Sequence, residues 1–252
     1  MARYFIEVAY QGTRFRGFQS QQNAVTVQGE IERALSVLLR GPVVTTGSSR
    51  TDAGVHAFQN YLHFDTEVPL MAHFTYKLNA VLSPDVAVRS LHRVAGEAHA
   101  RFDAVSRAYR YRIYYRKDPF LREGGYYFPY RVDDAVLERT AAMVAAHRDF
   151  ASFSKRNTQV KTFRCEIRRA VWYRRDDQLI FEVEANRFLR GMVRGLVGTM
   201  LKTARGSLLE EEFAGILSHP DNTRTDFSVP AQGLFLTAVR YPDDFPWGEP
   251  VL

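Results

Sequence analysis

Residues 47–57 read Gly47-Ser48-Ser49-Arg50-Thr51-Asp52-Ala53-Gly54-Val55-His56-Ala57, and the rest of the chain is interpreted outward from this stretch. It sets one carboxylate, Asp52, close to the guanidinium of Arg50 among small side chains. The glycines permit tight or left-handed turns and the close approach of a bulky group. Strand-like segments at 42–46 and 58–65 flank the stretch, so a loop here would present Asp52 from a rigid base. An ordinary connection in which Asp52 caps a turn or a helix is equally compatible with this stretch alone.

Composition narrows the class of protein. The chain has 252 residues, 46% hydrophobic and 25% charged, as in an ordinary globular protein. No apolar run reaches the roughly 18 residues of a membrane span, and the N-terminal residues lack a signal-peptide pattern. Cys165 is the only cysteine, which excludes an intrachain disulfide and a cysteine-based zinc site. These features predict a cytoplasmic protein without membrane contact.

The charge balance favours an acidic partner. The formal net charge is +6, from 34 Lys and Arg against 28 Asp and Glu, and only five of the basic residues are Lys. Because Arg binds phosphate bidentately and stacks on bases, this bias favours nucleic acid. An arginine-rich proteome would give the same bias, so composition alone does not decide between nucleic-acid binding and a general replacement of lysine by arginine.

The periodicity of apolar residues predicts two successive sets of elements. The first set comprises a strand at 4–10, a helix at 27–39, strands at 42–46 and 58–65, a helix at 71–82 and a strand at 86–94. The second comprises a strand at 107–116, a helix at 133–147, strands at 164–175 and 178–184 joined by an Asp176-Asp177 turn, helices at 186–204 and 208–217, and a strand at 234–241.

Both sets follow the order β-α-β-β-α-β, the ferredoxin-like order, with 208–217 as an extra helix. We therefore predict an α+β fold of two ferredoxin-like halves, residues 1–103 and 104–252. Their strands would form an extended, mostly antiparallel sheet. Helices would cover one face of this sheet, and a cleft would lie on the other.

The predicted helix at 186–204 has an apolar arc and a separate side that carries Gly191, Gly195 and Gly198. Each glycine costs a helix roughly 1 kcal/mol relative to alanine, so we expect a backbone or a ligand to pack against that side. Arg194 lies at the border of the two sides, and no acid occurs from 186 to 206. Arg194 is therefore expected to meet a carboxylate from elsewhere in the fold, or phosphate. A purely structural salt bridge is the alternative.

Two further segments combine aromatic and basic residues. On the strand at 107–116, Tyr109 and Tyr111 share one face, and Arg110 lies on the other. This pattern suits base stacking with phosphate contact, although a buried aromatic face under a solvated arginine face would look the same. The glycine-punctuated segment 10–21 weakly favours an RNA groove.

Other chemistries lack their motifs. The chain has neither a phosphate-binding loop nor a serine nucleophile elbow. His56 and His63 stand in no recognised ligand spacing, so we predict no metal site.

Four blocks, in this order along the chain, resemble the tRNA pseudouridine synthase A family, which is similar to the eukaryotic family that modifies tRNA uridines. They are Tyr10-Gln-Gly-Thr-Arg-Phe-Arg-Gly-Phe-Gln; Gly47-Ser-Ser-Arg-Thr-Asp-Ala-Gly-Val-His-Ala; His99-Ala-Arg-Phe-Asp-Ala with Arg107-Ala-Tyr-Arg-Tyr; and Asn186-Arg-Phe-Leu-Arg-Gly-Met-Val-Arg. A closing Gly233-Leu-Phe-Leu-Thr-Ala-Val fits as well. The chain departs from the family's usual residues at Gln11, Phe18 and Ser48-Ser49, where Asp, Trp and Ala-Gly are more common.

The resemblance implies a role for each matching residue. Asp52 would be the catalytic aspartate and Arg194 the arginine that pairs with it. Tyr109 would stack on the target base, Leu234 would line the pocket, and Arg50 would help to turn the nucleotide out of its stem. Four further arginines are candidate RNA contacts: Arg14, Arg16, Arg187 and Arg190.

The resemblance also implies the reaction. A tRNA uridine at positions 38–40 of the anticodon stem-loop would become pseudouridine, without cofactor or metal, in a homodimer whose sheet carries the RNA in its cleft. Attack on the sugar, attack on the base and removal of a ribose proton are three possible first steps for Asp52. A non-catalytic RNA-binding protein and a synthase for a different RNA are the alternative functions.

Overall fold

The structure, a computed structural model, describes residues 1–70, 72–155 and 160–251, and these residues group into two compact units. Unit 1 is Met1–Val105 together with the residues from Leu236 on, and unit 2 is Ser106–Phe235. The predicted boundary near residue 103 lies beside the first change of unit, whereas the residues from 236 on belong with the N-terminal ones. The described residues contain five helices and nine strands, and most strand pairs are antiparallel. This confirms the mixed α and β class, and the ferredoxin-like description of each half stays a prediction.

Unit 1 begins with three paired long strands. Its elements are β1 (Ala2–Tyr10), α1 (Val27–Leu39), β2 (Thr46–Gly47), β3 (His56–Thr66), α2 (Phe74–Val81) and β4 (Val86–Val94). Strand β1 pairs antiparallel with β3 on one side and β4 on the other, and β2 pairs with β3. Helix α1 has the predicted bounds, because Thr26 caps it with a side chain that accepts from the Gly29 N–H and because its apolar stripe is buried. Met71, where the second helix was predicted to begin, lies outside the described residues.

The prediction of a strand at 42–46 is wrong, because only Thr46 of that segment is in a strand. The Val43 N–H donates to the Ser36 hydroxyl at 3.1 Å, and the Thr45 N–H donates to the Glu32 carboxylate at 2.9 Å. Side chains of α1 thus take up backbone groups that a strand would use for pairing.

Unit 2 is built around a second set of antiparallel strands. Its elements are β5 (Ser106–Tyr114), β6 (Tyr126–Tyr127), α3 (Asp134–Ala146), β7 (Ile167–Arg175), β8 (Gln178–Ala185), α4 (Met192–Ala204) and α5 (Glu210–Ser218). Strand β8 lies between β5 and β7 and pairs antiparallel with both. Asp176 and Asp177 form the predicted turn, both with positive φ. The short β6, which was not predicted, pairs parallel with β5.

Helix α4 begins later than predicted. Gly191 precedes it with φ +75°, a left-handed conformation in which the helix does not continue backwards. The Asn186 N–H still donates to the Glu166 carbonyl at 3.1 Å, as an extension of the strand pairing. Arg187 and Arg190 therefore lie in a connecting segment, while Arg194 is in the first turn of α4.

The last strand, β9 (Leu234–Arg240), leads back into unit 1, and the segment after it covers the outer edge of β4. The Val251 N–H donates to the Leu91 carbonyl at 2.8 Å, and His92 and Pro250 form an antiparallel bridge. Trp247 packs against Phe5, with ring centroids 5.9 Å apart. This edge of the unit 1 strands is therefore paired with the chain's own C-terminal residues.

Candidate active site

The Asp52 loop is held from β3. The Ser48 N–H donates to the Tyr61 carbonyl at 2.7 Å, and the Asn60 amide donates to the Ser49 carbonyl at 2.9 Å. At the other end the Val55 N–H donates to the Asp52 carbonyl at 3.1 Å. Gly54 has φ +79°, a conformation that suits glycine, so the loop turns directly after the carboxylate.

The segment 10–18 holds the same loop from a second side. The hydroxyls of Tyr10 and Thr51 form a 2.8 Å hydrogen bond, and the Phe18 N–H donates to the Thr51 carbonyl at 3.0 Å. A Cβ atom on Gly12 would overlap the Val55 carbonyl, and one on Gly17 would lie 3.1 Å from the Thr51 carbonyl oxygen. The two segments therefore pack backbone against backbone. The family block that begins at Tyr10 thus supports the block that begins at Gly47 and contains Asp52.

Tyr10 is buried within this support. Its hydroxyl also accepts from the Asn60 amide at 3.4 Å. Burial raises the pKa of Tyr10 to about 12, and the hydrogen bonds from Thr51 and Asn60 oppose the rise. The phenol is therefore neutral at physiological pH and serves as a fixed hydrogen-bonding group.

His56 is buried and has a positioning role that the sequence did not reveal. Its Nδ1 atom accepts from the Gly12 N–H at 3.1 Å. The acceptor nitrogen must be unprotonated, so the ring is in the neutral form with its proton on Nε2. His56 thus ties the start of β3 to the segment 10–18.

Asp52 and Arg50 differ in exposure. Asp52 is half-buried, whereas Arg50 is exposed. Arg14 and Arg16, in the supporting segment, are exposed as well, and Arg14 lies 3.6 Å from the carboxylate of Asp85. An exposed guanidinium remains available for contact with a large polyanion.

In unit 2, β5 carries Tyr109 on its buried face. The Tyr109 ring meets the Phe188 ring edge-on, with centroids 5.0 Å apart. Tyr111, on the same face, is fully buried. On the opposite face Arg110 lies 3.4 Å from Glu182, and the Arg112 guanidinium lies over the Phe235 ring at 4.5 Å. The strand therefore has a buried aromatic face and a half-buried arginine face.

Arg194 is anchored by backbone carbonyls. Its Nε donates to Val229 at 2.8 Å, and a terminal nitrogen donates to Phe227 at 3.4 Å. The hydroxyl of Tyr111 donates to the carbonyl of Pro230, the next residue of that segment, at 2.7 Å. Burial raises the pKa of Tyr111 well above its usual value, while the positive charge of Arg194 opposes that rise.

The segment 225–230 also explains two glycines of α4. A Cβ atom on Gly198 would overlap the Asp226 carbonyl, and one on Gly195 would come within 2.8 Å of the Phe227 ring. The expectation that a backbone packs against the glycine side is therefore confirmed for these two positions. The same close packing brings the carbonyls that orient Arg194 to the first turn of α4.

Three predicted residues of unit 2 remain to be placed: Leu234, Arg187 and Arg190. Leu234 is buried at the start of β9, and the preceding Gly233 leaves no room for a side chain beside the Tyr111 ring. Arg187 is half-buried and Arg190 is exposed.

The predicted site residues are thus divided between the two units. Asp52 and Arg50 belong to unit 1; Tyr109, Arg194 and Leu234 belong to unit 2. The pairing of Asp52 with Arg194 stays a prediction. Among the described residues, no three His, Cys, Asp or Glu side chains form a group that could hold a metal ion. Within the same residues no helix is long and apolar enough to cross a membrane.

Comparison with known proteins gives consistent matches. A family model described as tRNA pseudouridine synthase matches residues 144–242. The tRNA pseudouridine synthase A of Parabacteroides distasonis is 45% identical, over 97% of this chain and 98% of its own. The proteins of the same name from Porphyromonas gingivalis and Bacteroides thetaiotaomicron are each 42% identical over 97% of this chain, and the matches cover 99% and 92% of those proteins.

Proposed function

The chain belongs to the tRNA pseudouridine synthase A family, and from this premise we propose that Asp52 is the carboxylate with which it isomerises uridine to pseudouridine in tRNA. The chain is an isomerase that acts on tRNA. The observation that carries the role of Asp52 is its setting: a half-buried carboxylate in a loop held both by β3 and by the segment 10–18. A loop fixed from two sides keeps a reacting group in place without help from the substrate.

The reaction requires such a carboxylate. The N1–C1′ bond of uridine breaks, the uracil turns, and C5 joins C1′; the C5 proton leaves and N1 gains one, so the product is an isomer. Asp52 can attack the sugar, attack the base or remove a ribose proton. Each of these steps needs the ionised form of Asp52, because a protonated carboxyl is neither a nucleophile nor a base.

Arg194 and Tyr109 complete the proposed site. Arg194 would pair with Asp52 and favour its ionised form in a site covered by the substrate. Its Nε is already held by the Val229 carbonyl, which fixes the direction of the guanidinium. Tyr109 would stack on the detached uracil and Leu234 would close the pocket, so that the base is kept from water. The edge of Phe188 against Tyr109 restricts the orientation of the tyrosine ring.

Access to the base is the remaining requirement. A uridine within a stem must leave the stack, at a cost of a few kcal/mol. We assign Arg50 to this step, since its side chain is exposed close to Asp52 in sequence. Arg14, Arg16, Arg187 and Arg190 are proposed contacts to the RNA backbone. The choice of positions 38–40 and the homodimer belong to the same proposal and rest on the family blocks, whereas the proposed cytoplasmic location rests on the composition of the chain.

The test is substitution of the carboxylate. Asp52→Asn keeps the size and polarity of the side chain but removes its charge, so pseudouridine formation should fall below detection while tRNA affinity stays within a few-fold of wild type. Turnover is measured by liquid chromatography of the nucleosides from a digested tRNA transcript, which separates pseudouridine from the isobaric uridine, and affinity by filter binding. Asp244→Asn, at an exposed position of unit 1, is the matched control and should keep full turnover. Substantial pseudouridine formation by Asp52→Asn would remove Asp52 from this role.

The modified positions need a separate experiment. RNA from cells with and without the gene is mapped for pseudouridine at single-nucleotide resolution. We expect the difference to lie at tRNA positions 38–40. Loss of pseudouridine only at other tRNA positions would reassign the substrate site while leaving the isomerase activity in place.

A further inference from the structure

Phe120 is the most exposed of the aromatic side chains that the structure describes. It lies in the connection between β5 and β6 and exposes 94% of its surface. An isolated exposed apolar residue is common on protein surfaces, so exposure alone carries no function. Two further features distinguish this residue: the hydrogen-bonded backbone of its loop and the charged side chains beside it.

Hydrogen bonds within the loop define its backbone conformation. The Phe120 N–H donates to the Asp118 carboxylate at 2.8 Å, and the Gly124 N–H donates to the Leu121 carbonyl at 3.1 Å. Where the loop returns to the strands, the Phe128 N–H donates to the Tyr114 carbonyl at 2.9 Å. Local hydrogen bonds therefore fix the backbone that carries the exposed ring, so little backbone entropy remains to be lost on binding.

The charged side chains beside the ring carry a net positive charge. Arg116, Lys117 and Arg122 are exposed within four residues of Phe120, together with the exposed Glu123 and the half-buried Asp118, whose carboxylate accepts from the loop backbone. Aromatic and arginine side chains also occur in contacts between protein chains, but this chain acts on tRNA, and single-stranded nucleic acid is bound by aromatic rings with neighbouring cations. The combination fits a nucleobase on the ring with backbone phosphates on the cations.

We propose that Phe120 stacks on an unpaired base of the tRNA substrate, with Arg116, Lys117 and Arg122 contacting the neighbouring phosphates. This contact rests on the proposed function for the identity of the RNA. It adds a recognition element on the β5–β6 connection, apart from the residues assigned to the chemistry. It would raise affinity for tRNA and leave the chemical step of bound tRNA unchanged.

The experiment measures affinity and turnover separately. Binding of an unmodified tRNA transcript is measured in the Asp52→Asn background, so that no product forms. Phe120→Ala should weaken affinity about tenfold to hundredfold, the range for loss of one base–aromatic stack. Phe120→Trp should bind as the parent does, because it keeps a stacking ring, whereas Phe120→Leu should behave like Phe120→Ala. In the active enzyme, Phe120→Ala should raise KM with little change in kcat.

Control variants distinguish base stacking from a general loss of surface area and from contact between protein chains. Tyr76→Ala removes an aromatic side chain on α2 that is 75% exposed, and it should leave affinity unchanged. Lys117→Ala and Arg122→Ala should each reduce the slope of log affinity against log salt by about 1.

Three results would overturn the proposal. The first is unchanged affinity of Phe120→Ala, and the second is full binding by Phe120→Leu. The third is a changed molecular mass of Phe120→Ala in sedimentation, since the ring would then lie between copies of the chain. Failure of the proposed function would give a different result, namely pseudouridine formation by Asp52→Asn. The affinity measurements on the Phe120 variants would remain valid in that case.

Discussion

At the scale of single residues, Tyr10 and His56 connect segments that are distant in sequence. Tyr10 bonds Thr51 and Asn60, and His56 bonds Gly12. The motif around Asp52 and its likeness to a family could be predicted from the sequence. The supporting contacts could not, because each joins residues about 40 or more positions apart and depends on the pairing of β1 with β3.

Tyr10→Phe tests the support of the Asp52 loop. The substitution leaves the Thr51 hydroxyl and the Asn60 amide without this buried partner, so the free energy of unfolding should fall by about 1–3 kcal/mol. Because the loop then loses a constraint, kcat should fall more than tRNA affinity. Urea unfolding and single-turnover pseudouridine assays measure the two effects. Tyr4→Phe is the control: that ring is also buried in β1, it stacks on Phe64, and substitution should cost less. Equal effects of the two variants would contradict the role of Tyr10.

His63 predicts a pH dependence of stability. Its Nδ1 accepts from the Ala100 N–H at 3.1 Å, and burial, with the nearby charges of Arg3 and His99, lowers the pKa of His63 to about 4. The unfolded chain takes up this proton near pH 6.5, before the folded chain does, so the free energy of unfolding should fall as the pH drops from 6.5 to 4. His63→Asn keeps an acceptor but does not titrate, and its urea unfolding should vary less over this range. An unchanged pH profile in His63→Asn would assign the effect to other groups.

At the scale of elements, helix bounds were predicted well where the cap is local and poorly where tertiary packing decides. Thr26 and Asp133 each cap the helix that follows them, and the predicted starts of α1 and α3 agree with the structure to within one residue. The start of α4 was placed too early, because the left-handed Gly191 is not distinguishable in sequence from the packing glycines Gly195 and Gly198. The segment 42–46 has strand-forming residues but gives its hydrogen bonds to α1.

Two helical glycines should respond in opposite directions to alanine. In Gly198→Ala the new Cβ meets the Asp226 carbonyl, so α4 or the segment 225–230 must move, at a cost of about 1–3 kcal/mol. Movement of that segment also displaces the carbonyls that hold Arg194, so kcat should fall. In Gly215→Ala, on α5, no atom lies within 4 Å of the new Cβ, and stability should rise by about 0.5–1 kcal/mol with unchanged activity. Thermal unfolding of both variants checks the signs; stabilisation by Gly198→Ala would refute the packing argument.

At the scale of the whole molecule, the relevant properties are the net charge and the order in which the segments of the two units follow one another along the chain. The net charge is +6, and 29 of the 34 basic residues are arginine. The overall class was predictable because element order follows from periodicity. The grouping of the residues from 236 on with unit 1 could not be predicted, because it depends on contacts with residues that precede 106–235 in the chain.

Binding of tRNA should depend strongly on salt. Each arginine or lysine that contacts a phosphate releases counterions, so log affinity should fall linearly with log salt. Filter binding of a tRNA transcript to Asp52→Asn between about 50 and 200 mM salt gives the slope, and six contacts correspond to roughly a thousandfold loss over this range. Arg16→Ala, at an exposed position of the segment 10–18, should make the slope shallower, whereas Arg33→Ala should not, because Arg33 already pairs with Glu30 at 2.8 Å. A salt-independent affinity would exclude backbone contact as the main source of binding.

The C-terminal cover on β4 has a consequence for synthesis on the ribosome. Strands β1, β3 and β4 emerge early, but the residues that pair with the outer edge of β4 emerge only after residues 106–235 have been translated. At about 5–20 residues per second this interval lasts on the order of 10 s. During that time the nascent chain carries an open strand edge, a surface on which chains of a polysome can pair with one another. Slowing translation within 106–235 should therefore lower the yield of correctly folded protein, and a chaperone that shields extended segments should restore it.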